Sequence, residues 1–244
     1  MILFHPSSVG HLMGEPKSID PAFLQDKELA ALYRKKNKTD DDKAILAPYW
    51  ERTLSEGAKS YLKQMAREHL FGYRRIVTKN ELQKGIICEP DSIALYNTVH
   101  FTRYQKNTER RVNDWLTGEC DIYAPGVETI DTKSVWSLDS FPLLPEDAHD
   151  PMYDWQGVAY MILWPDVQRH RVAFCAVDTP DDLIKWMSDD ERAAHKVSHI
   201  DPAMRVTVIT YQRDHEKEHR LMVKMGVARE YLLDLIERFK SERA

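Results

Sequence analysis

Four charged side chains in the middle of the chain have the types and spacing that metal-assisted chemistry needs. Asp131 and Lys133 lie two residues apart in a segment with the pattern of a β-strand, so both side chains point to the same side of it. Asp121 lies on the partner strand of a predicted hairpin, which brings the two aspartates together. Adjacent carboxylates repel each other unless a cation lies between them, and Mg²⁺ with oxygen ligands meets that need.

Glu89 is a third candidate oxygen ligand. It shares a predicted helix face with apolar residues such as Ile86 and Ile93, and a carboxylate there is costly to bury unless it is paired or bound to a metal. Lys133, beside such a metal, could orient or deprotonate an attacking water or stabilise charge on a phosphate. An Asp-x-Lys triplet alone is more often a surface ion pair, so the prediction depends on the ordered set of four residues.

The elements that must position these side chains are a helix and a hairpin. Residues 78–81 fit a capping box that opens the helix, and Pro90 should kink or restart it. Residues 117–123 and 127–135 flank a turn signal, Ala-Pro-Gly, so they predict the two strands of an antiparallel hairpin.

The remaining pattern predicts the fold class. Asp150 caps a helix that Pro151 opens, further strands are expected at 171–177 and 204–211, and the polar run 38–43 predicts a loop. Helices followed by strands and then by mixed elements indicate an α/β or α+β fold.

We expect one domain over residues 1–244. It would comprise a helical N-terminal part at 1–77, a core at about 78–212 and a C-terminal helix at 221–240.

Composition limits the function classes. Of the 244 residues, 43% are hydrophobic and 30% charged, which suffices for a buried core. The sequence contains no run of roughly eighteen apolar residues, so it predicts no membrane helix, and no secretory signal is visible. We therefore expect a cytoplasmic protein with no membrane partner. Three widely spaced cysteines argue against a disulfide framework and against a four-cysteine metal site.

The net charge of −5 argues against a uniformly basic nucleic-acid-binding surface but not against a local basic groove. Among the basic clusters, Arg74, Arg75, Arg110 and Arg111 are the best candidates for DNA contacts, because they lie near the predicted helix and hairpin in the sequence. Each cluster taken alone is more often a solvated helix face.

Four stretches resemble, in order and spacing, the motifs of the PD-(D/E)xK nuclease superfamily, in the branch of the phage lambda-exonuclease and RecB-like (YqaJ-type) proteins. They match the Gly-x-x-x-Glu helix, the strand of the first aspartate, the (D/E)xK strand and the Gln-x-x-x-Tyr helix, at residues 84–89, 117–121, 127–134 and 156–160. Residues 7–13 also resemble the N-terminal segment of these exonucleases. Two departures are Cys120, which replaces a proline, and Asp131, where glutamate is commoner.

The resemblance implies a restriction-endonuclease-like core, with a mixed central β-sheet flanked by helices, and a metal site. Glu89, Asp121 and Asp131 would bind one or two Mg²⁺ or Mn²⁺ ions, the backbone carbonyl of Thr132 would complete the shell, and Lys133 would position the nucleophile.

The helix after the sheet and the N-terminal segment carry the supporting residues. Gln156 and Tyr160 share a helix face, where Gln156 could contact DNA or the metal shell and Tyr160 could support a base or the lysine. Without the other motifs, Gln156 reads as the rim of a packed helix. Ser7 and Ser8 are further candidates for DNA binding.

The function that the resemblance implies is a Mg²⁺-dependent deoxyribonuclease, a 5′-to-3′ exonuclease acting on duplex DNA ends in phage-type recombination. It further implies a ring-shaped homo-oligomer that hands single strands to an annealing protein, in a bacterial cell and with a phage origin. The alternatives are a RecB-like or structure-specific endonuclease and a DNA-binding module that does not cut. Retention of all four charged residues argues against the module.

A competing pattern is His215-Glu216-x-x-His219, which fits the H-E-x-x-H signature of zinc peptidases. The neighbouring residues are charged, whereas the helix of such peptidases is apolar around the motif, so we expect a solvated segment here.

Overall fold

The computed structural model describes residues 2–243, which form two compact units. The terminal unit combines Met1–Arg75 with Asp214–Ala244, and the core unit comprises Ile76–Arg213. The expectation of a single domain stays a prediction. No helix among residues 2–243 combines the length and the apolar character that crossing a bilayer requires.

Ten α-helices and six strands are found among the described residues. The helices are α1 (Pro6–Val9), α2 (Lys27–Arg34), α3 (Asp40–Glu51), α4 (Glu56–Phe71), α5 (Asn80–Ile87), α6 (Glu89–His100), α7 (Pro151–Leu163), α8 (Asp181–Ile184), α9 (Asp189–Ala193) and α10 (His215–Ser241). The strands are β1 (Arg111–Val112), β2 (Thr117–Gly118), β3 (Ile122–Ala124), β4 (Glu128–Ser134), β5 (Arg169–Cys175) and β6 (Val206–Gln212).

A four-stranded mixed sheet forms the centre of the core unit. Its order is β3-β4-β5-β6, with β4 and β5 parallel and the other two pairs antiparallel. Helix α6 packs on one face, where Tyr96 joins Ile122 and Ile130 in a buried cluster. Helix α7 lies on the other face, where Gln156 reaches Asp131. The predicted mixed sheet flanked by helices is therefore confirmed.

The hairpin differs in extent from its prediction. Strands β3 and β4 pair antiparallel around the predicted turn, with Ile122 opposite Ile130. Thr117 and Gly118, however, pair with Arg111 and Val112 in a separate two-stranded sheet. The reason is that the chain passes from the two-stranded sheet to the central sheet between β2 and β3, a break that the alternation of side chains does not reveal.

Two local predictions about helices are wrong, and one is confirmed. The cap of α5 is Lys79 with no side-chain hydrogen bond, so the predicted capping box at 78–81 does not form. The polar run 38–43 is not all loop, because Thr39 and Asp42 form a reciprocal capping box that opens α3. The break predicted at Pro90 is present, since α5 ends at Ile87 and α6 begins at Glu89.

Asp150 caps α7 as predicted, accepting a hydrogen bond from the Met152 amide at 2.7 Å, and Pro151 takes the first helical position. This local device fixes where α7 starts. The helix side chains that face the sheet are therefore set in register with β4.

Gly157 allows α7 to approach the sheet closely. A Cβ atom at this position would lie 2.9 Å from Cδ2 of His170, a fully buried side chain that hydrogen-bonds Thr129 at 2.9 Å. Burial also lowers the pKa of His170 to about 4, so the ring is neutral at pH 7.

We expect Gly157→Ala to lower the free energy of unfolding by about 1–3 kcal/mol, because the added methyl group overpacks a buried site. Urea denaturation measures the loss. Gly85→Ala is the matched control, since a Cβ there meets nothing within 4 Å. Equal effects of the two substitutions would contradict the packing argument.

Candidate active site

Asp131 and Lys133 extend from β4 toward the face covered by α7, as the strand period predicts. Asp131 is 4% exposed and accepts a hydrogen bond from Gln156 Nε2 at 3.1 Å. Lys133 Nζ forms an ion pair with the same carboxylate oxygen and lies 5.3 Å from the centroid of the Tyr153 ring. Burial by itself lowers the pKa of Lys133, but the Asp131 carboxylate outweighs it and raises that pKa, so the ammonium form persists.

Asp121 lies one residue before β3, next to β4. Its carboxylate accepts hydrogen bonds from the backbone amide of Thr132 at 2.6 Å and from the Thr132 hydroxyl at 3.0 Å. Burial and the negative charge of Asp131 together raise the pKa of Asp121 to about 7. A negative charge on Asp121 is therefore unfavourable beside Asp131 in the metal-free cleft.

Glu89 begins α6, and its carboxylate lies toward the same place. Oε1 is buried and 2.8 Å from Lys106 Nζ, an ion pair that lacks the direction of a good hydrogen bond. The start of a helix also favours a negative charge. Lys106 thus supplies a positive charge beside an acid that the sequence predicts to be a metal ligand.

All the predicted metal and catalytic residues line one cleft of about 450 Å³ in the core unit. Glu89, Asp121, Asp131, Thr132 and Lys133 form its polar side. The structure therefore brings together side chains that are far apart in the sequence. Glu89 comes from α6, Asp121 from the residue before β3, and the other three from β4.

The donor set of this cleft fits a hard divalent cation. Three carboxylates face one cavity, burial and an acidic neighbour raise the pKa of Asp121, and one buried oxygen of Glu89 is met by the Lys106 ammonium group without a well-directed hydrogen bond. Among residues 2–243, however, no three acidic, histidine or cysteine side chains stand close enough to hold an ion as they are placed. Each acid instead contacts a partner from the protein: Lys106 for Glu89, Thr132 for Asp121, and Lys133 with Gln156 for Asp131.

Gln156 and Tyr160 both face the sheet from α7. Gln156 is 4% exposed and orients Asp131, so it is not at the rim of a packed helix. The Tyr160 hydroxyl donates to the Glu119 carbonyl at 2.9 Å, which ties α7 to the segment that leads into Asp121. Both side chains hold acids of the cleft in place.

The predicted basic pair Arg110 and Arg111 interacts mainly with acids and rings of its own unit. Arg110 lies 3.5 Å from an oxygen of Glu119. This pairing occupies a carboxylate that could otherwise serve as an extra metal ligand. Arg111 donates to Glu109 at 2.8 Å and stacks within 4.9 Å of the Tyr123 ring centroid. Their role in binding DNA stays a prediction.

The other predicted DNA-binding residues belong to the terminal unit. Ser8, Arg74 and Arg75 line one cavity of about 460 Å³ together with Tyr61. Ser7 is exposed and lies inside α1.

Sequence analysis missed Tyr153 and the contact made by Lys106. Tyr153 lies three residues before Gln156 on α7, so the helical period could have placed it on the same face. Lys106 occurs in a basic stretch, and nothing in its local sequence indicates that it contacts Glu89.

His215 and His219 open α10, in the terminal unit. The His215 ring lies 3.0 Å from a Glu218 oxygen, and its side chain is 83% exposed. The segment is therefore exposed to solvent, as the charged residues around the two histidines predict.

Known structures resemble the whole chain. A phage related exonuclease from Haemophilus somnus 129PT superposes with a TM-score of 0.77 at 29% sequence identity, over 98% of this chain and 96% of that one. An alkaline exonuclease from Laribacter hongkongensis superposes with a TM-score of 0.59 at 12% identity, over 99% and 93%. Its complex with dAMP gives a TM-score of 0.55 at 14% identity, over 79% and 88%. No protein-family model and no curated protein matches the sequence.

This likeness of fold, together with the four motifs that resemble the PD-(D/E)xK superfamily, supports a DNA nuclease. The chain is similar in sequence and fold to the Haemophilus somnus exonuclease, and in fold to the Laribacter hongkongensis exonuclease.

Proposed function

We propose that this protein is a Mg²⁺- or Mn²⁺-dependent deoxyribonuclease that degrades duplex DNA from its ends as a 5′-to-3′ exonuclease, in phage-type recombination. The observation that carries the proposal is the convergence of Glu89, Asp121, Asp131 and Lys133 on one cleft. The similar structures are named exonucleases, and one of them was solved with dAMP, a deoxynucleoside monophosphate of the kind that hydrolysis at a strand end releases.

Glu89, Asp121 and Asp131, with the Thr132 carbonyl, would hold one or two metal ions in this cleft. When bound, such an ion polarises the scissile phosphate, lowers the pKa of water and stabilises the leaving oxygen. Gln156 keeps Asp131 oriented through its amide.

Lys133 remains protonated, because Asp131 raises its pKa. An ammonium group donates hydrogen bonds and accepts none, so it suits the orientation of an attacking water and the stabilisation of charge on a phosphate rather than proton abstraction. Of the three roles that the sequence left open for this lysine, we therefore propose orientation of the water and stabilisation of charge on the phosphate, and not deprotonation of the water.

The cavity of Ser8, Arg74 and Arg75 is a second candidate contact with the substrate. A serine hydroxyl and two guanidinium groups form a donor set that suits a phosphate. We propose that these residues bind the DNA backbone.

We expect the double variant Arg74→Ala/Arg75→Ala to bind duplex DNA about tenfold more weakly at low salt and to show a shallower salt dependence, because two phosphate contacts are lost. Fluorescence anisotropy with Ca²⁺ in place of Mg²⁺ measures both. Arg34→Ala with Lys36→Ala in the same unit is the charge-matched control, with a small effect expected. If the two double variants lost affinity equally, the cavity would have no special role.

We also propose, from the family resemblance, a ring-shaped homo-oligomer, delivery of single strands to an annealing protein, and action in the cytoplasm of a bacterial cell with a phage origin. A sedimentation measurement of the native mass tests the oligomer.

The proposed activity is tested with linear duplex and closed circular DNA, each incubated with Mg²⁺ and with EDTA. We expect the linear DNA to be degraded in Mg²⁺ only, from a 5′ end that a strand-specific label identifies, and the circle to stay intact. Nicking of the circle would instead support a RecB-like or structure-specific endonuclease. Binding without cleavage under either metal would make the protein a non-cutting DNA-binding module.

A further inference from the structure

The ion pair of Lys106 with Glu89 is a contact at the cleft that the motifs do not explain. The two side chains lie 2.8 Å apart, and Lys106 is half exposed whereas Glu89 is 19% exposed. Glu89 is its nearest acid, and Asp121 and Glu119 also act on its charge. A single surface ion pair contributes little to stability, so the placement of this charge needs another reason.

The segment that carries Lys106 is fixed on both sides. Before it, the Asn97 side chain accepts a hydrogen bond from the Tyr104 amide at 2.9 Å and donates to the Tyr104 carbonyl at 2.8 Å. After it, the Asn107 amide donates to the Asp121 carbonyl at 2.7 Å, and the Asn107 side chain donates to the Cys120 carbonyl at 3.0 Å. The backbone at Lys106 is therefore anchored to α6 and to the segment of a proposed metal ligand.

The surroundings of Lys106 give its ammonium group two alternatives. It neutralises Glu89 as the protein stands, but its exposed half and flexible stem let it turn outward without moving the backbone. A polyanionic strand that enters the cleft brings phosphates to the same place. A lysine is well suited to this exchange, because it binds carboxylate or phosphate as a point charge with no fixed geometry.

We propose that Lys106 is a DNA-phosphate ligand whose ammonium group neutralises Glu89 until a divalent cation replaces it there. The inference rests on the proposed function, since it requires Glu89 to be a metal ligand. In the metal-free protein Lys106 competes for the Glu89 carboxylate, and in the loaded protein the same ammonium group is free to bind the backbone of the substrate strand.

This exchange predicts that removing the charge has opposite effects on the two ligands. We expect Lys106→Met to bind Mn²⁺ about fivefold more tightly, because a competing cation is gone. We expect the same variant to bind duplex DNA about fivefold more weakly, with a salt slope shallower by roughly 0.9. A merely structural role would weaken both or neither.

Calorimetric titration with Mn²⁺ and anisotropy of a 3′-labelled duplex in Ca²⁺ measure these effects on the intact protein. Lys106→Arg keeps the charge and should retain wild-type DNA affinity. Lys196→Met is the matched control, since it removes an ion pair of 2.9 Å with Asp181 in the same unit and should change neither titration.

The outcomes separate this inference from the proposed function. Unchanged Mn²⁺ affinity or an unchanged salt slope in Lys106→Met, with wild-type protein that binds Mn²⁺, would overturn the role of Lys106 alone. Absence of Mn²⁺ binding by the wild-type protein, or equal binding by Glu89→Gln, would overturn the metal site and the inference with it.

Discussion

Lys133→Met should cleave linear DNA on the order of 10³-fold more slowly than the wild-type protein, while binding Mn²⁺ at least as tightly. The reason is that Lys133 supplies a positive charge next to Asp131 but no ligand atom to a metal. Removing it takes away the group that we propose to position the nucleophile and leaves all three carboxylates in place. Single-turnover cleavage and Mn²⁺ calorimetry measure the two effects separately.

The comparison for this prediction is Lys185→Met, which removes a lysine that lies over the Trp186 ring in the same unit and outside the cleft. It should cleave at the wild-type rate. If Lys133→Met cleaved as fast as Lys185→Met, the lysine would have no part in the reaction.

Asp121→Asn should abolish metal binding and cleavage and yet make the metal-free protein more stable, by about 1–2 kcal/mol in the free energy of unfolding. The Asp121 carboxylate is buried beside Asp131, and this burial and repulsion raise its pKa to about 7. Asparagine has nearly the same size, its amide oxygen can still accept from Thr132, and it carries no charge that must be buried.

Urea unfolding in EDTA at pH 8 measures this gain, and unfolding in Mg²⁺ measures metal binding. The cation should stabilise the wild-type protein, because it binds only the folded state, and should leave Asp121→Asn unchanged. Asp166→Asn provides the contrast. Its carboxylate accepts from the Tyr123 hydroxyl at 2.6 Å and from the Gly126 amide at 2.8 Å, and these bonds outweigh burial and lower its pKa. The charged form is therefore favoured at this position, so that substitution should destabilise. A loss of stability in Asp121→Asn would show that the acid is placed there for the fold.

The electrostatic repulsion between the acids of the cleft explains why each contacts a positive charge or a hydrogen-bond donor of the protein. Without a cation, Lys133 and Lys106 take the place of one, each beside a different carboxylate. A functional site that stores unfavourable charge in this way lowers the stability of the protein in exchange for affinity toward its ligand.

Sequence patterns predicted the parts of this site that depend on neighbours along the chain. The period of two along a strand set Asp131 and Lys133 on one face, and the proline after Glu89 broke the helix there. Asp150 and Pro151 marked the start of α7 for the same kind of reason. The motif order then predicted the family and with it the fold.

Contacts between distant segments depended on tertiary structure alone. Lys84 looks like a surface charge, yet it is 1% exposed and donates to the carbonyls of Trp136 and Val177 at 3.1 and 2.9 Å. Lys106 reaches Glu89 only because asparagines anchor its segment. Local periodicity reports which way a side chain points within its own element. The group that it meets is set by how the sheet and helices pack, and that packing decided which charges share the cleft.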